Sequence, residues 1–305
     1  MTYANYLQKK YRLFVHSRKK QYFCSMKIGV FDSGYGGLTI LEQIRKRLPQ
    51  YDYIYLGDNA RAPYGTHSFD VIYQYTWQAV QYLFRQDCSL VVLACNTASA
   101  KALRTIQQKD LPLIPQHGKR DRIPNVLGVI RPTVEDVAQR TRNGHIGVVG
   151  TTGTIQSESY LMELRKQRES LRITQQACPM WVPLIENGEH LHQGADYFVD
   201  KYLRLLFAQD PDIDTLILGC THYPMLLPKI ESTLGNITSK RVEIIAQGSI
   251  VAQSLQDYLQ RHTELRDTLS TGGGCRYMTT ESVGKFREAA TVFLQAPVEA
   301  EHIRL

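Results

Sequence analysis

Acidic residues are missing from the first 27 positions of this 305-residue chain, although those positions hold seven Lys or Arg. These seven equal the whole formal net charge of +7, because the other 29 basic residues face 29 acidic ones. The body is electrically balanced, which argues against a nucleic-acid partner. Long apolar runs are missing too. Nothing approaches the ~20 residues of a membrane span, so no membrane partner is expected. The basic segment also lacks the apolar core of a secretory signal. Residues 1–25 therefore read as a dispensable basic N-terminal extension, with Met26 directly before the first strand. The cysteines Cys24, Cys88, Cys95, Cys178, Cys220 and Cys275 form no CxxC pair and no regular framework. That excludes a disulfide scaffold and implies a reduced, cytoplasmic setting. Cys220-Thr221-His222 would be half of a metal site, but no second pair with zinc-like spacing accompanies it, so no metal is expected.

What is present is a pattern of short apolar runs alternating with helix-length amphipathic segments. It predicts an α/β fold of two similar domains, each a mainly parallel sheet flanked by helices. The runs are Ile28–Ser33, Tyr53–Leu56, Ser89–Ala94 and Val126–Ile130, then Ile146–Thr151, Leu171–Thr174, Leu216–Gly219 and Val242–Ile245. Strand order, turn chemistry and cysteine placement agree between the two sets, which favours an internal duplication over the ordinary spacing of βαβ units. Helices are expected at Asp70–Arg85, Ala98–Gln108, Ser157–Gln167, Tyr197–Ala208 and Gly248–Arg261. The polar stretch Pro115–Pro124 reads as a surface loop or a crossing between domains.

Two cysteines fall at matching places. Cys95 ends one buried run and opens Cys-Asn-Thr-Ala-Ser; Cys220 ends another and opens Cys-Thr-His-Tyr-Pro. The carboxyl end of a strand in an open α/β sheet is where ligands bind. Taken singly, each is a small buried hydrophobe; taken together, they call for a chemistry with two acid/base groups. Asp32 and His222 are the candidate proton partners. The glycine-rich turns Asp32–Gly37 and Gly150–Thr154 precede helices and suit an anion, although either is also simply a tight turn. Neither is a Walker A loop or a GxGxxG site. Hydroxyls at Ser33, Thr97, Thr151, Thr152 and Thr221 are suitable donors to carboxylates.

The series Asp32-Ser33-Gly34-Tyr35-Gly36-Gly37-Leu38, Pro63-Tyr64-Gly65, Cys95–Ser99, Gly150–Thr154, Val182–Glu186 and Gly219–Pro224 resembles the motif series of the glutamate racemases. The resemblance implies a cofactor-independent isomerase supplying D-glutamate for peptidoglycan, with the active site in the cleft between two discontinuous domains. It places residues 26–118 plus 242–296 in the first, 119–241 in the second, and 297–305 in a C-terminal tail. It implies a catalytic pair at Cys95 and Cys220, the first acting on D-glutamate with Asp32, the second on L-glutamate with His222 and Glu186. Substrate contacts would fall on Asp32, Ser33, Tyr64, Gly65, Asn96, Thr97, Thr151, Thr152, Thr154, Thr221 and His222. A homodimer is also implied. Ala246-Gln247-Gly248-Ser249 departs from the Asp-Ser/Pro-Ala form usual in the family. Three alternatives stand beside this reading: an aspartate racemase, a cleft-closing amino-acid-binding protein, and a hydrolase or transferase with one nucleophilic cysteine. Only a racemase needs both thiols.

Overall fold

The structure is a computed structural model describing residues 26–114 and 124–305. The expectations for residues 1–25 and for most of the Pro115–Pro124 stretch fall outside the described residues. Strands β1 (Lys27–Asp32), β2 (Tyr53–Gly57), β3 (Cys88–Leu93) and β4 (Asn125–Gly128) belong to one sheet. Strands β5 (His145–Gly150), β6 (Arg172–Ala177), β7 (Thr215–Gly219) and β8 (Glu243–Ile245) form the other. All pairings are parallel, and the order β2-β1-β3-β4 recurs as β6-β5-β7-β8. The matching order supports the duplication. β1, β3, β5 and β7 are the central strands and are nearly buried throughout, as helices on both faces require.

Two further strands, β9 (Cys275–Thr279) and β10 (Ala300–His302), extend the first sheet beside β2. Neither is anticipated from the sequence: β9 carries an exposed Arg276, and β10 is a three-residue polar edge. Residues 297–305 are thus not a tail, since Ala300 pairs with Tyr277. Strand membership also moves both domain crossings. β4, expected in the second domain, pairs with β3 from Leu90↔Asn125 to Leu93↔Gly128. β8, expected in the first, pairs with β7.

The principal helices are α1 (Gly37–Arg47), α2 (Phe69–Arg85), α3 (Asn96–Lys101), α4 (Ile130–Arg140), α5 (Thr152–Gln156) and α6 (Ser159–Gln167). They continue with α7 (Trp181–Glu186), α8 (Gln193–Gln209), α9 (Leu227–Ile237), α10 (Gly248–Arg261) and α11 (Val283–Leu294). α4 carries the chain into the second half. α10 carries it back and packs on α1. The helix expected at Ala98–Gln108 is broken: α3 ends at Lys101, and a π-helical turn occupies Ile106–Asp110. Among the described residues, no helix is long and apolar enough to cross a membrane.

A buried carboxylate fixes the entry to β5. Asp214 accepts hydrogen bonds from Thr141 Oγ1, Thr215 Oγ1 and the backbone N–H groups of Arg142 and Asn143, each at 2.8 Å. Burial raises its pKa, but these donors outweigh burial and hold it below the usual carboxylate range. A depressed native pKa stabilises the fold above the unfolded-state value, and this stabilisation is lost as the pH falls through the native one. Asp214→Asn is expected to lose about 1–3 kcal/mol at neutral pH. The gap to wild type should close in acid, which thermal unfolding between neutral and acidic pH reads directly.

Candidate active site

Both sheets turn their strand ends toward one cleft. In the first, β1 and β3 are neighbours from which the chain leaves in opposite directions, and β5 and β7 play the same part in the second. Ligands bind in the crevice at such switch points. Asp32 and Ser33 follow β1, Cys95–Thr97 follow β3, Thr151 and Thr152 follow β5, and Cys220–His222 follow β7. All of them line one cleft, with Tyr64, Gly65 and Glu186 at its sides.

The two thiols have different neighbours. Cys95 is 5% exposed and caps α3, its Sγ accepting from the Ala98 N–H at 3.4 Å. Its hydroxyl partner is Ser33, with Oγ 3.2 Å from Sγ. Asp32, expected beside this thiol, spends Oδ2 on the Gly34 N–H at 3.0 Å and acts on Cys95 through its charge. Burial pushes the Cys95 thiol up to about 12, Asp32 adds to the rise, and Ser33 and the Ala98 N–H oppose it. These surroundings favour the neutral thiol at Cys95. Its alkylation rate, read by mass spectrometry, should climb about tenfold per pH unit from neutrality upward. A flat rate would contradict this assignment.

On the other side the groups form a chain. His222 Nδ1 is 3.8 Å from Cys220 Sγ, and Nε2 is 3.0 Å from Glu186 Oε1. Burial alone would push the His222 pKa down. Hydrogen bonds to Cys220 and Glu186 outweigh it, so His222 is held well above the ordinary histidine value. Phe293 of α11 packs edge-on against the ring at 5.6 Å between centroids.

Several expected binding residues also hold the cleft wall together. Thr154 is fully buried and lies behind the lining, within hydrogen-bond reach of Thr97 and Thr151, so it supports these hydroxyls across the two halves. The Tyr64 hydroxyl donates to Asp58, which also accepts from Arg61 Nε at 2.6 Å and Thr280 Oγ1 at 2.8 Å. Asp58 thereby braces the rim loop that presents Gly65. Both ends of the Asn96 side-chain amide are engaged by Gln247 and Tyr160. The structure also adds Gly34, Cys178, Pro179, Val182 and Pro183 to the lining. Cys178 directly follows β6 as Cys95 and Cys220 follow their strands. β6, Arg-Ile-Thr-Gln-Gln-Ala, has too little apolar character to draw attention to it.

Away from the cleft, His145, Asp210 and Asp212 lie within ligand spacing of one another. Arg172 and Lys240 already engage those carboxylates.

Two like α/β halves each deliver one thiol to a single shared cleft. The profile of the Asp/Glu/Hydantoin racemase family matches residues 38–255. A glutamate racemase of Streptococcus suis (strain 05ZYH33) is 35% identical over 279 residues, covering 91% of this chain and 98% of that protein. The crystal structure of glutamate racemase isoform RacE1 from Bacillus anthracis superposes with a TM-score of 0.80 at 34% identity, covering 92% of this chain and 98% of that one. That of the Francisella tularensis enzyme, in complex with D-glutamate, gives 0.78 at 30% over the same shares. The chain belongs to the aspartate/glutamate racemase family, and these relatives are its glutamate racemases.

Proposed function

We infer that this protein interconverts L- and D-glutamate by passing protons between the substrate α-carbon and two thiols. The observation that carries the reading is the arrival of Cys95 and Cys220 at one cleft from separate halves, each with its own proton-handling neighbours. Inversion removes a proton from one face of the α-carbon and returns one to the other. A single base would have to cross the substrate plane; a pair, one thiolate and one thiol, need not move. Cys95 takes the proton from D-glutamate and Cys220 from L-glutamate, the idle partner donating in each case. Substrate brings an ammonium group, whose positive charge opposes both burial and Asp32 in setting the protonation of Cys95. His222, charged and bonded to Glu186, supplies and recovers the proton beside Cys220. Ser33, Gly65, Thr97, Thr151, Thr152, Thr221 and backbone N–H groups of the turns hold the carboxylates. Those donors strengthen as charge builds in the carbanion.

The reaction serves peptidoglycan synthesis in the cytoplasm, and the assembly is a homodimer; sedimentation reads the latter. Incubation of L-glutamate in D₂O, without added cofactor, tests the reaction. Deuterium at Cα with loss of optical rotation is the expected result. Activity on aspartate and none on glutamate would overturn the substrate assignment. Binding without exchange would overturn catalysis.

A further inference from the structure

Gln247 sits where the chain returns from β8 to α10, in the stretch that departs from the family's usual sequence. Its side chain closes a ring of hydrogen bonds. Asn96 Nδ2 donates to Gln247 Oε1 at 2.6 Å. Gln247 Nε2 donates to the Tyr160 hydroxyl at 2.7 Å, and that hydroxyl donates to Asn96 Oδ1 at 2.7 Å. The second Nε2 hydrogen goes to Thr133 Oγ1 at 2.9 Å. The Thr133 hydroxyl itself donates to the Val129 carbonyl at 2.8 Å, so toward Gln247 its oxygen can only accept. This fixes the sense of the whole ring: Gln247 must turn its NH₂ to Thr133 and Tyr160 and its oxygen to Asn96. Asn96, Gln247, Tyr160 and Thr133 are at most 3% exposed, so an atom that loses its partner finds no water to replace it.

The ring joins separate parts of the fold. Asn96 directly follows Cys95 and opens α3, whereas Tyr160 lies on α6 and Thr133 on α4, both packed in the half that carries Cys220. We propose that Gln247 is a positioning residue: through this ring it holds Asn96, and with it the turn bearing Cys95, in fixed relation to the half bearing Cys220. The proposal rests on the glutamate racemisation inferred above. It also gives the Asn96 amide, hydrogen-bonded at both ends, a structural role beside the cleft.

Gln247→Met keeps the length of the side chain and removes both polar ends. Because the enantiomers have equal free energy in water, kcat/KM must fall by the same factor in both directions, here by about tenfold to hundredfold for a turn displaced by up to ~1 Å. Isotope effects on α-deuterated substrates show which thiol is at fault. If Cys95 is mispositioned, its transfer becomes more rate-limiting. The effect on kcat/KM should then rise for D-glutamate, whose deuteron goes to Cys95, and decline for L-glutamate, whose deuteron goes to Cys220. A folded Gln247→Met protein with unchanged kcat/KM, or with a loss that shifts both isotope effects alike, overturns the proposal. Should Gln247→Met fail to fold, Tyr160→Phe decides on the same pattern, since it breaks the ring and keeps the packing. If wild type itself does not act on glutamate, the inferred reaction fails. The ring is then judged by the Cys95 alkylation rate, which Gln247→Met should change several-fold and which, unchanged, overturns the proposal.

Discussion

Alanine at Cys95 or at Cys220 should leave a folded protein whose racemisation is slower by at least about 10²–10⁴-fold, the usual contribution of a positioned acid or base. Folding should survive because each change removes one sulfur from a site at a cleft wall, 5% exposed for Cys95 and 7% for Cys220. Both directions should be lost in each variant, since each thiol donates in one direction and abstracts in the other. What survives should differ. With Cys220 gone, Cys95 can still exchange the α-proton of D-glutamate without inversion, whereas the Cys95 variant should exchange only the L-enantiomer. Mixing the two variants should restore nothing, because both thiols must face one bound molecule. Cys178→Ala is the control. Cys178 lines the same cleft, but the contact it makes to the Cys220 side is through its carbonyl, which accepts from Tyr223 at 3.2 Å and which alanine retains. Polarimetry and NMR in D₂O measure all of this. Full racemisation in either single variant would sink the paired-thiol mechanism.

Gly36→Ala should be nearly as damaging, although glycine here is not required by backbone conformation. Gly36 has φ −59° and ψ −32°, which alanine adopts freely. The obstacle comes from the other half of the molecule. A Cβ at this position would lie 2.4 Å from His222 Nδ1 and 2.6 Å from Thr221 Oγ1. Neither can yield cheaply: His222 is anchored to Glu186 on one side and meets Phe293 on its edge. Overpacking of this kind costs about 1–3 kcal/mol, and displacement of a group beside the reacting thiol by even ~1 Å can cost about 100-fold in rate. The pKa of His222 should also drop, because its elevation depends on Cys220 and Glu186. Melting temperature, kcat/KM and the His222 titration by NMR check the three effects. Gly235→Ala is the matched control, since nothing lies within 4 Å of the added carbon and α9 gains a better helix former. If Gly36→Ala behaved like that control, the tight contact between the halves would be refuted.

The comparison of Gly36 with Cys95 shows what a sequence makes legible. Cys95 and Cys220 stand out because the strands before them are buried on both faces and read as unbroken apolar runs. The same property made β1, β3, β5 and β7 readable. β6 and β9 carry polar residues, so β9 and the cleft-lining Cys178 escaped notice. The glycine turn after β1 was visible as a turn, but the reason for Gly36 lies across the cleft, and no local pattern encodes a contact 186 positions away. Asn96 lines the cleft, and the direction of its amide depends on Gln247 and Tyr160, distant in sequence. The runs at β4 and β8 fall in the right sets of the repeat; it is the division at 118/119 and 241/242, implied by the resemblance, that puts them on the wrong sides of the crossings.

The recurrence of one strand order in both sheets carries a consequence for chirality. Two copies of an L-polypeptide fold can be related only by rotation and translation, never by reflection. The two forms of the substrate, by contrast, are mirror images. No duplication can therefore build a site whose halves treat D and L alike. The hydroxyl of Ser33 stands beside one thiol and the His222–Glu186 pair beside the other. The two sides of the cleft therefore have no symmetry to preserve, and each thiol is free to carry neighbours of its own.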